Sequence, residues 1–236
     1  MISYSDVCPG RFLARPNRFI ALVELEGQAQ RCHVPNTGRL GELLLPGAQV
    51  WCQRHREPGR KTGWTLISVE KDGAVVNLDS QVPNRLAFAY VRDGGLGFLP
   101  DTVRAEQTFG DARLDLSYEV GGRQRGYVEV KGVTLNEGGV ARFPDAPTQR
   151  GAKHLLALTQ AVAAGHRAAV LFVAQMDTVT RFQPNWPRDP AFARGLVEAA
   201  RAGVAVLAVR CAVTPDTIAV TVPLEVDLSP WQRSED

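Results

Sequence analysis

Tyr127-Val128-Glu129-Val130-Lys131-Gly132-Val133 reads as a β-strand with two distinct faces. Strand alternation puts Glu129 and Lys131 on one face, and Val128 and Val130 on the other. Upstream, Ala112-Arg113-Leu114-Asp115-Leu116-Ser117-Tyr118 reads as a second strand. Arg113, Asp115 and Ser117 are expected on one side of it. Leu114, Leu116 and Tyr118 are expected on the other, packed on a helix. Gly121-Gly122 supplies a loop between the two. Paired as a hairpin, they bring Asp115 beside Glu129. Two neighbouring carboxylates repel without a counter-ion. A divalent cation relieves that repulsion, and oxygen ligands suit magnesium. Asp115, Glu129 and the carbonyl of Val130 are therefore the expected ligands of Mg²⁺ or Mn²⁺. Lys131 would stand next to the attacking water and offset charge on a phosphate. Asp115, Glu129 and Lys131 form a minimal centre for phosphodiester hydrolysis. The plainer alternative is a solvated Glu-x-Lys charge pair.

The pattern around these strands is mixed. Asn84–Val91 has helical spacing at Leu86, Ala87, Tyr90 and Val91, and Asp93-Gly94-Gly95 ends it. Strands are expected at Val103–Phe109, Ala112–Val120 and Tyr127–Leu135. A long helix follows from about Ala146 to Ala164, with Asp145 as N-cap, Pro147 in the first turn and Gly165 as the stop. Ala168–Ala174 is an apolar strand, Pro190–Ala202 a helix closed by Gly203, and Val204–Val209 another buried strand. This order implies a mixed sheet flanked by helices, an α/β (α+β) arrangement.

Arg150, Lys153 and His154 recur at i, i+3 and i+4 in the first turns of the long helix, so they share a face. Cations there oppose the helix dipole, which suggests that an anion is meant to arrive. Leu155, Leu158 and Val162 form the apolar stripe behind them.

The first third differs. Phe19–Leu25, Ala29–Val34, Ala48–Gln53, Thr65–Glu70 and Ala74–Leu78 are short strands joined by Gly, Pro and Asn turns, with a hairpin signal at Asp72-Gly73. That pattern fits a small OB-like barrel, and an SH3-like barrel gives a similar one. The boundary falls near residues 79–84, dividing the chain into units 1–82 and 83–236. Asn36, Thr37 and Arg39 around Gly38 can bind a phosphate, or the segment is a plain turn. Trp51 and Trp64 either stack on bases or belong to the barrel core.

Composition excludes several classes. With 44% hydrophobic and 22% charged residues, the chain is not disordered. No apolar run approaches the roughly 20 residues that cross a bilayer, and Met1–Arg11 lacks a signal-peptide pattern, so a cytoplasmic protein is expected. Cys8, Cys32, Cys52 and Cys211 have no metal-knuckle or redox spacing and are expected as reduced thiols. Net charge is only +2, but residues 1–64 hold nine Lys or Arg against five Asp or Glu, a mildly basic unit.

Several segments together resemble the sugar fermentation stimulation protein A (SfsA) family. They are Asn17-Arg18-Phe19, His33-Val34-Pro35-Asn36-Thr37-Gly38, Glu129 to Leu135, Phe143-Pro144-Asp145-Ala146, Thr148, Arg150-Gly151 and Lys153-His154-Leu155. The resemblance covers nearly the whole chain. It implies an N-terminal OB-like domain, a C-terminal PD-(D/E)XK nuclease-like domain, DNA binding and a link to the regulation of sugar fermentation. By position, Asp115 matches the motif aspartate, Glu129 and Lys131 match the E-x-K, and Glu106 matches an upstream acidic position. Gly132 departs from the pattern, where serine is usual. The expected partner is nucleic acid, DNA in preference, with no membrane and with a homodimer left open. Arg18, Asn36, Thr37, Arg39, Arg150, Lys153 and His154 are its expected contacts. The competing expectation is a non-catalytic DNA-binding regulator with a vestigial nuclease fold.

Overall fold

A computed structural model describes residues 1–230; positions 231–236, the end of the unit expected at 83–236, lie outside the described residues. The chain opens with a short strand β1 (Ile2–Ser3), followed by β2 (Val7–Asn17), β3 (Ile20–Leu25), β4 (Gln28–His33), β5 (Gln49–Arg54), β6 (Trp64–Lys71) and β7 (Ala74–Asn77). Strands β2 to β7 form one sheet in the order β4-β3-β2-β5-β6-β7. A parallel pairing, Cys32 with Trp64, joins β4 to β6 and closes the ring. The ring order β2-β3-β4-β6-β5 is that of an OB barrel, which decides between the two barrels the strand pattern allowed.

Strand β2 has no counterpart among the expected strands. Its sequence, VCPGRFLARPN, buries only Phe12 fully, so it carries little alternation to read. Gly10 is what lets it cross β3 closely. A Cβ there would lie 2.6 Å from Leu25 Cδ2 and 2.7 Å from the Glu24 carbonyl oxygen.

The second unit begins with α1 (Val82–Arg92), β8 (Thr102–Phe109), β9 (Ala112–Val120), β10 (Gln124–Val133), β11 (Leu135–Glu137) and β12 (Val140–Phe143). It continues with α2 (Gln149–Ala163), β13 (Arg167–Ala174), β14 (Arg181–Pro184), α3 (Pro190–Arg201), β15 (Ala205–Val213), β16 (Thr217–Pro223) and β17 (Glu225–Val226). The main sheet runs β1-β16-β15-β13-β10-β9-β8. Its centre, β10-β13-β15, is parallel. Residues 168–174 of β13 are buried on both faces, as the middle of a covered parallel sheet requires. Val82, Leu86 and Val91 of α1 pack one face. Leu155 and Leu158 of α2 pack the other, with Phe192 and Leu196 of α3. A small sheet, β11-β12-β14-β17, stands at the edge. The opening strand β1 pairs with β16, so residues 2–3 lie outside the barrel that follows them.

Three local expectations are corrected. The strand read as Tyr127–Leu135 ends at Val133, and Leu135 starts β11. Helix α2 starts at Gln149 and not near Ala146. Residues before proline are pushed out of the helical region, and Ala146 precedes Pro147. The N-cap is accordingly Thr148, whose hydroxyl accepts from Gly151 N at 3.0 Å, and not Asp145. Finally, Leu114, Leu116 and Tyr118 do not share a face. Leu114 belongs to the core beneath α2, while Leu116 and Tyr118 belong to the core beneath α1. The alternation breaks at Asp115.

The two units are joined by hydrogen bonds as well as by chain. Gln175, at the end of β13 and 1% exposed, donates through Nε2 to the Asn77 carbonyl at 3.1 Å, to Asn77 Oδ1 at 3.0 Å and to the Asp79 carbonyl at 3.0 Å. Asn77 N donates back to the Gln175 carbonyl at 2.9 Å. The apolar core of the barrel runs without a break into the core beneath α2.

Candidate metal and nucleic-acid site

The break at Asp115 makes the candidate site. Pairing of β9 with β10 stops at Leu116↔Val128, and pairing of β8 with β9 omits the Glu106–Asp115 position. Glu106 there has a left-handed φ of 54°. Asp115 thus leaves both ladders, and its side chain takes over backbone bonding. Asp115 Oδ2 accepts from Val130 N at 2.7 Å, and Oδ1 accepts from Asn84 Nδ2 at 2.9 Å. Asn84 comes from the first turn of α1, and nothing in its sequence context announced that role.

Glu129 points to the opposite side from Val128 and Val130, towards α2, and is 2% exposed. Its Oε1 accepts from Lys131 Nζ at 2.5 Å and is also hydrogen-bonded to His154 Nδ1. Its Oε2 is buried with no hydrogen-bond partner among the described residues. A buried, unpartnered carboxylate oxygen is costly unless something electropositive meets it. No cluster of three or more His, Cys, Asp or Glu able to hold a metal occurs among the described residues. The candidate donors are therefore two carboxylates and a main-chain carbonyl. In an extended strand the N–H and C=O of one residue face the same neighbour. The Val130 carbonyl accordingly turns to the gap where Asp115 sits.

Burial, and secondarily the Glu129 carboxylate, raise the Asp115 pKa above its ordinary 3.8. The native state therefore holds the Asp115 proton more tightly than the unfolded chain does. The stabilising contribution of that proton is full below the ordinary value and is lost as pH rises through the raised one. At neutral pH the ionised group is a cost. Asp115→Asn is expected to raise the melting temperature in EDTA, more at pH 8 than at pH 5. A thermal scan at both pH values checks this, and a fall at pH 8 contradicts it.

The basic helix face is split. Arg150 and Lys153 are exposed, whereas His154 is 6% exposed and turned onto Glu129. The four barrel residues Arg18, Asn36, Thr37 and Arg39 line a cleft of ≈ 720 Å³ between the barrel and the second unit. Gly132 to Leu135, just beyond Lys131, line it too, as do Arg142 and Phe143 to Thr148. Arg15, which the sequence did not single out, organises the barrel wall. It donates to the carbonyls of Gly38 at 2.8 Å, Arg39 at 2.7 Å, Arg18 at 2.8 Å and Asn36 at 2.7 Å. The Asn36 side chain is committed to its own loop, donating to the Leu78 carbonyl at 2.9 Å and accepting from Gly38 N at 2.8 Å. Arg18, Thr37 and Arg39 remain exposed.

Glu106, at the position across from Asp115 on β8, is exposed and ion-paired with Arg113. Trp64 is a core residue with Arg54 stacked on its ring at 4.5 Å. All four cysteines are free, with Cys32 Sγ and Cys52 Sγ 3.8 Å apart inside the barrel. At Gly132 a Cβ would lie 2.6 Å from Gln175 Oε1 and 2.8 Å from Pro83 Cγ, so the glycine makes room for the Gln175 junction.

Fold and site together define a class: an OB barrel joined to a mixed α/β sheet that presents two acids and a lysine from adjacent strands. Comparison with known proteins narrows it. Residues 13–78 match the SfsA N-terminal OB domain, and residues 81–217 match the sugar fermentation stimulation protein RE domain. A sugar fermentation stimulation protein homolog of Desulfitobacterium hafniense is 48% identical over 217 residues, covering 92% of this chain and 94% of its own. One from Alkaliphilus oremlandii is 43% identical over 232 residues, covering 96% and 99%. The solved structure of Pyrococcus furiosus SfsA in complex with Ca²⁺ superimposes with a TM-score of 0.85 at 30% identity, covering 96% of this chain and 98% of that one. The chain belongs to the SfsA family. No helix among the described residues is long and apolar enough to cross a membrane.

Proposed function

We propose that the chain is a nucleic-acid-binding protein, DNA favoured, whose Asp115–Glu129–Lys131 centre takes up a divalent cation, Mg²⁺ or Mn²⁺, and hydrolyses phosphodiesters. The observation that carries this reading is the buried, unpartnered Glu129 Oε2 beside Asp115. The RE-domain match and the Ca²⁺ complex of the P. furiosus relative support it. Asp115, Glu129 and the Val130 carbonyl would hold the ion. Bound there, it lowers the pKa of water and offsets charge on the phosphate. Asn84 fixes one Asp115 oxygen, and the Val130 amide fixes the other. His154 orients Glu129 from behind. Lys131 keeps an ammonium where negative charge grows on the attacked phosphate. Arg18, Thr37 and Arg39 on the barrel, with Arg150 and Lys153 on α2, would meet phosphates, and Asn36 shapes the loop. Four free thiols agree with a cytoplasmic setting.

A second reading has one specific observation in its favour. Glu129 Oε1 already has two partners, Lys131 and His154, so the centre is part-neutralised without a cation. A non-catalytic DNA-binding regulator would look like this. The deciding experiment incubates the protein and its Asp115→Ala variant with single- and double-stranded DNA and RNA, in Mg²⁺, Mn²⁺ or EDTA. Cleavage that needs metal and Asp115 is the expected result. Salt-sensitive binding with no cleavage in any metal selects the regulator.

A further inference from the structure

Eight of the nine phenylalanines belong to or pack against one of the two cores; Phe19 joins neither and is 52% exposed. Exposed aliphatic residues are common and need no explanation, but a lone exposed aromatic ring held rigidly beside cations is different. Phe19 sits on the tight turn between β2 and β3. Its N donates to Asn17 Oδ1 at 2.9 Å, and its carbonyl accepts from Val34 N at 2.8 Å. The preceding carbonyl, that of Arg18, accepts from Arg15, which ties this turn to the 36–39 loop. The backbone that presents the ring is thus fixed.

Asn17 and Arg18 of the same turn line the cleft between the two units, with Arg39 also on the barrel side, and Phe19 is the next residue along the turn. Facing them from β12 is Arg142, whose side chain is only 12% exposed. The Glu137 carboxylate lies 2.7 Å from its Nε, but off the N–H direction. Nε and Nη1 have no hydrogen-bond partner among the described residues. Both nitrogens are themselves buried, so a phosphate oxygen would meet the part of Arg142 that lines the cleft. Among the described residues, Asp145 is the one acid in the cleft wall.

We propose that this cleft binds single-stranded nucleic acid, with Arg142 taking a backbone phosphate and Phe19 stacking on an unpaired base. The inference rests on the nucleic-acid reading above and names its substrate class. A duplex covers its base faces with their neighbours and leaves Phe19 nothing to stack on except an end. A flexible strand offers both an uncovered base and a phosphate that can enter the cleft.

The test uses the full chain in EDTA, so that binding is read without cleavage. Labelled oligo(dT), oligo(U) and a long blunt-ended duplex are titrated by anisotropy. Phe19→Ala is expected to weaken both single strands by about tenfold, with Phe19→Tyr near wild type and duplex affinity changed by less than about twofold. Arg142→Gln is expected to reduce the slope of log affinity against log salt by about 0.7, the contribution of one single-strand phosphate. Arg142→Lys, with a melting curve for each variant, separates lost contact from lost folding. Unchanged oligonucleotide affinity in folded Phe19→Ala overturns the proposal, as does a parallel loss for the duplex. Thymidine monophosphate displacing as well as the oligomer also overturns it, because the cleft then takes a small anion. If folded cleft variants bind normally while Arg150→Ala with Lys153→Ala does not, the nucleic-acid reading survives and the cleft proposal falls. If the wild-type chain binds no nucleic acid, both fall.

Discussion

Lys131→Ala is expected to lower cleavage by at least about a hundredfold while leaving nucleic-acid affinity within about threefold. The ammonium lies 2.5 Å from Glu129 Oε1 and its side chain is 13% exposed, so it is a placed group and not a surface charge. Removing it takes away charge that counts most when the attacked phosphate gains negative charge. The exposed cations that would grip substrate are untouched. Folding should survive, because His154 still holds Glu129. A single-turnover assay beside a binding titration checks both halves. Equal cleavage by purified Lys131→Ala removes the catalytic reading, and a matching collapse of binding moves Lys131 from chemistry to attachment.

Asp189→Ala is expected to cost about 2–4 kcal/mol, the loss of two charge-assisted bonds to backbone donors. One carboxylate, 7% exposed, caps α3 and anchors the residue that caps α2. Oδ1 accepts from Phe192 N at 3.0 Å in the first turn of α3, and Oδ2 accepts from Thr148 N at 2.8 Å at the start of α2. For a chain of this size that corresponds to roughly 5–15 °C in melting temperature. Asp189→Asn should lose less, since it keeps one acceptor. A denaturant titration of the three proteins checks the order. If Asp189→Ala melts with the wild type, this carboxylate contributes little.

The Asp189 cap and the break at Asp115 show where the sequence stops being informative. Strong periodicity was legible: β13 and α3 fall where spacing and turn residues place them, and the E-x-K strand is found with shifted ends. Although the loss of ladder pairing at Asp115 was not readable, its nearness to Glu129 was, through a hairpin joined by a Gly-Gly loop. Strand β2 was not, since it is pinned by partners on both sides and buries one residue fully. The start of α2 was misread because Asp145 is a good cap by type, while Pro147 forbids helix at the residue before it. His154 looked like a member of a basic face. Only the packing of α2 on the sheet turns it onto Glu129, and spacing on one helix carries no information about the strand below. Asn84 and Arg15 act through partners distant in the chain, so no local pattern could mark them.

The Gln175 junction ties the last stretch of the barrel to the end of a central strand of the sheet, above a core that does not divide. Barrel and sheet should therefore open together in one cooperative event. Amides of β7 and β13 should share a common rate of hydrogen–deuterium exchange under conditions that report global opening. Whatever grips the barrel then acts on the acids of β9 and β10 through a stiff connection, with no hinge to absorb the displacement.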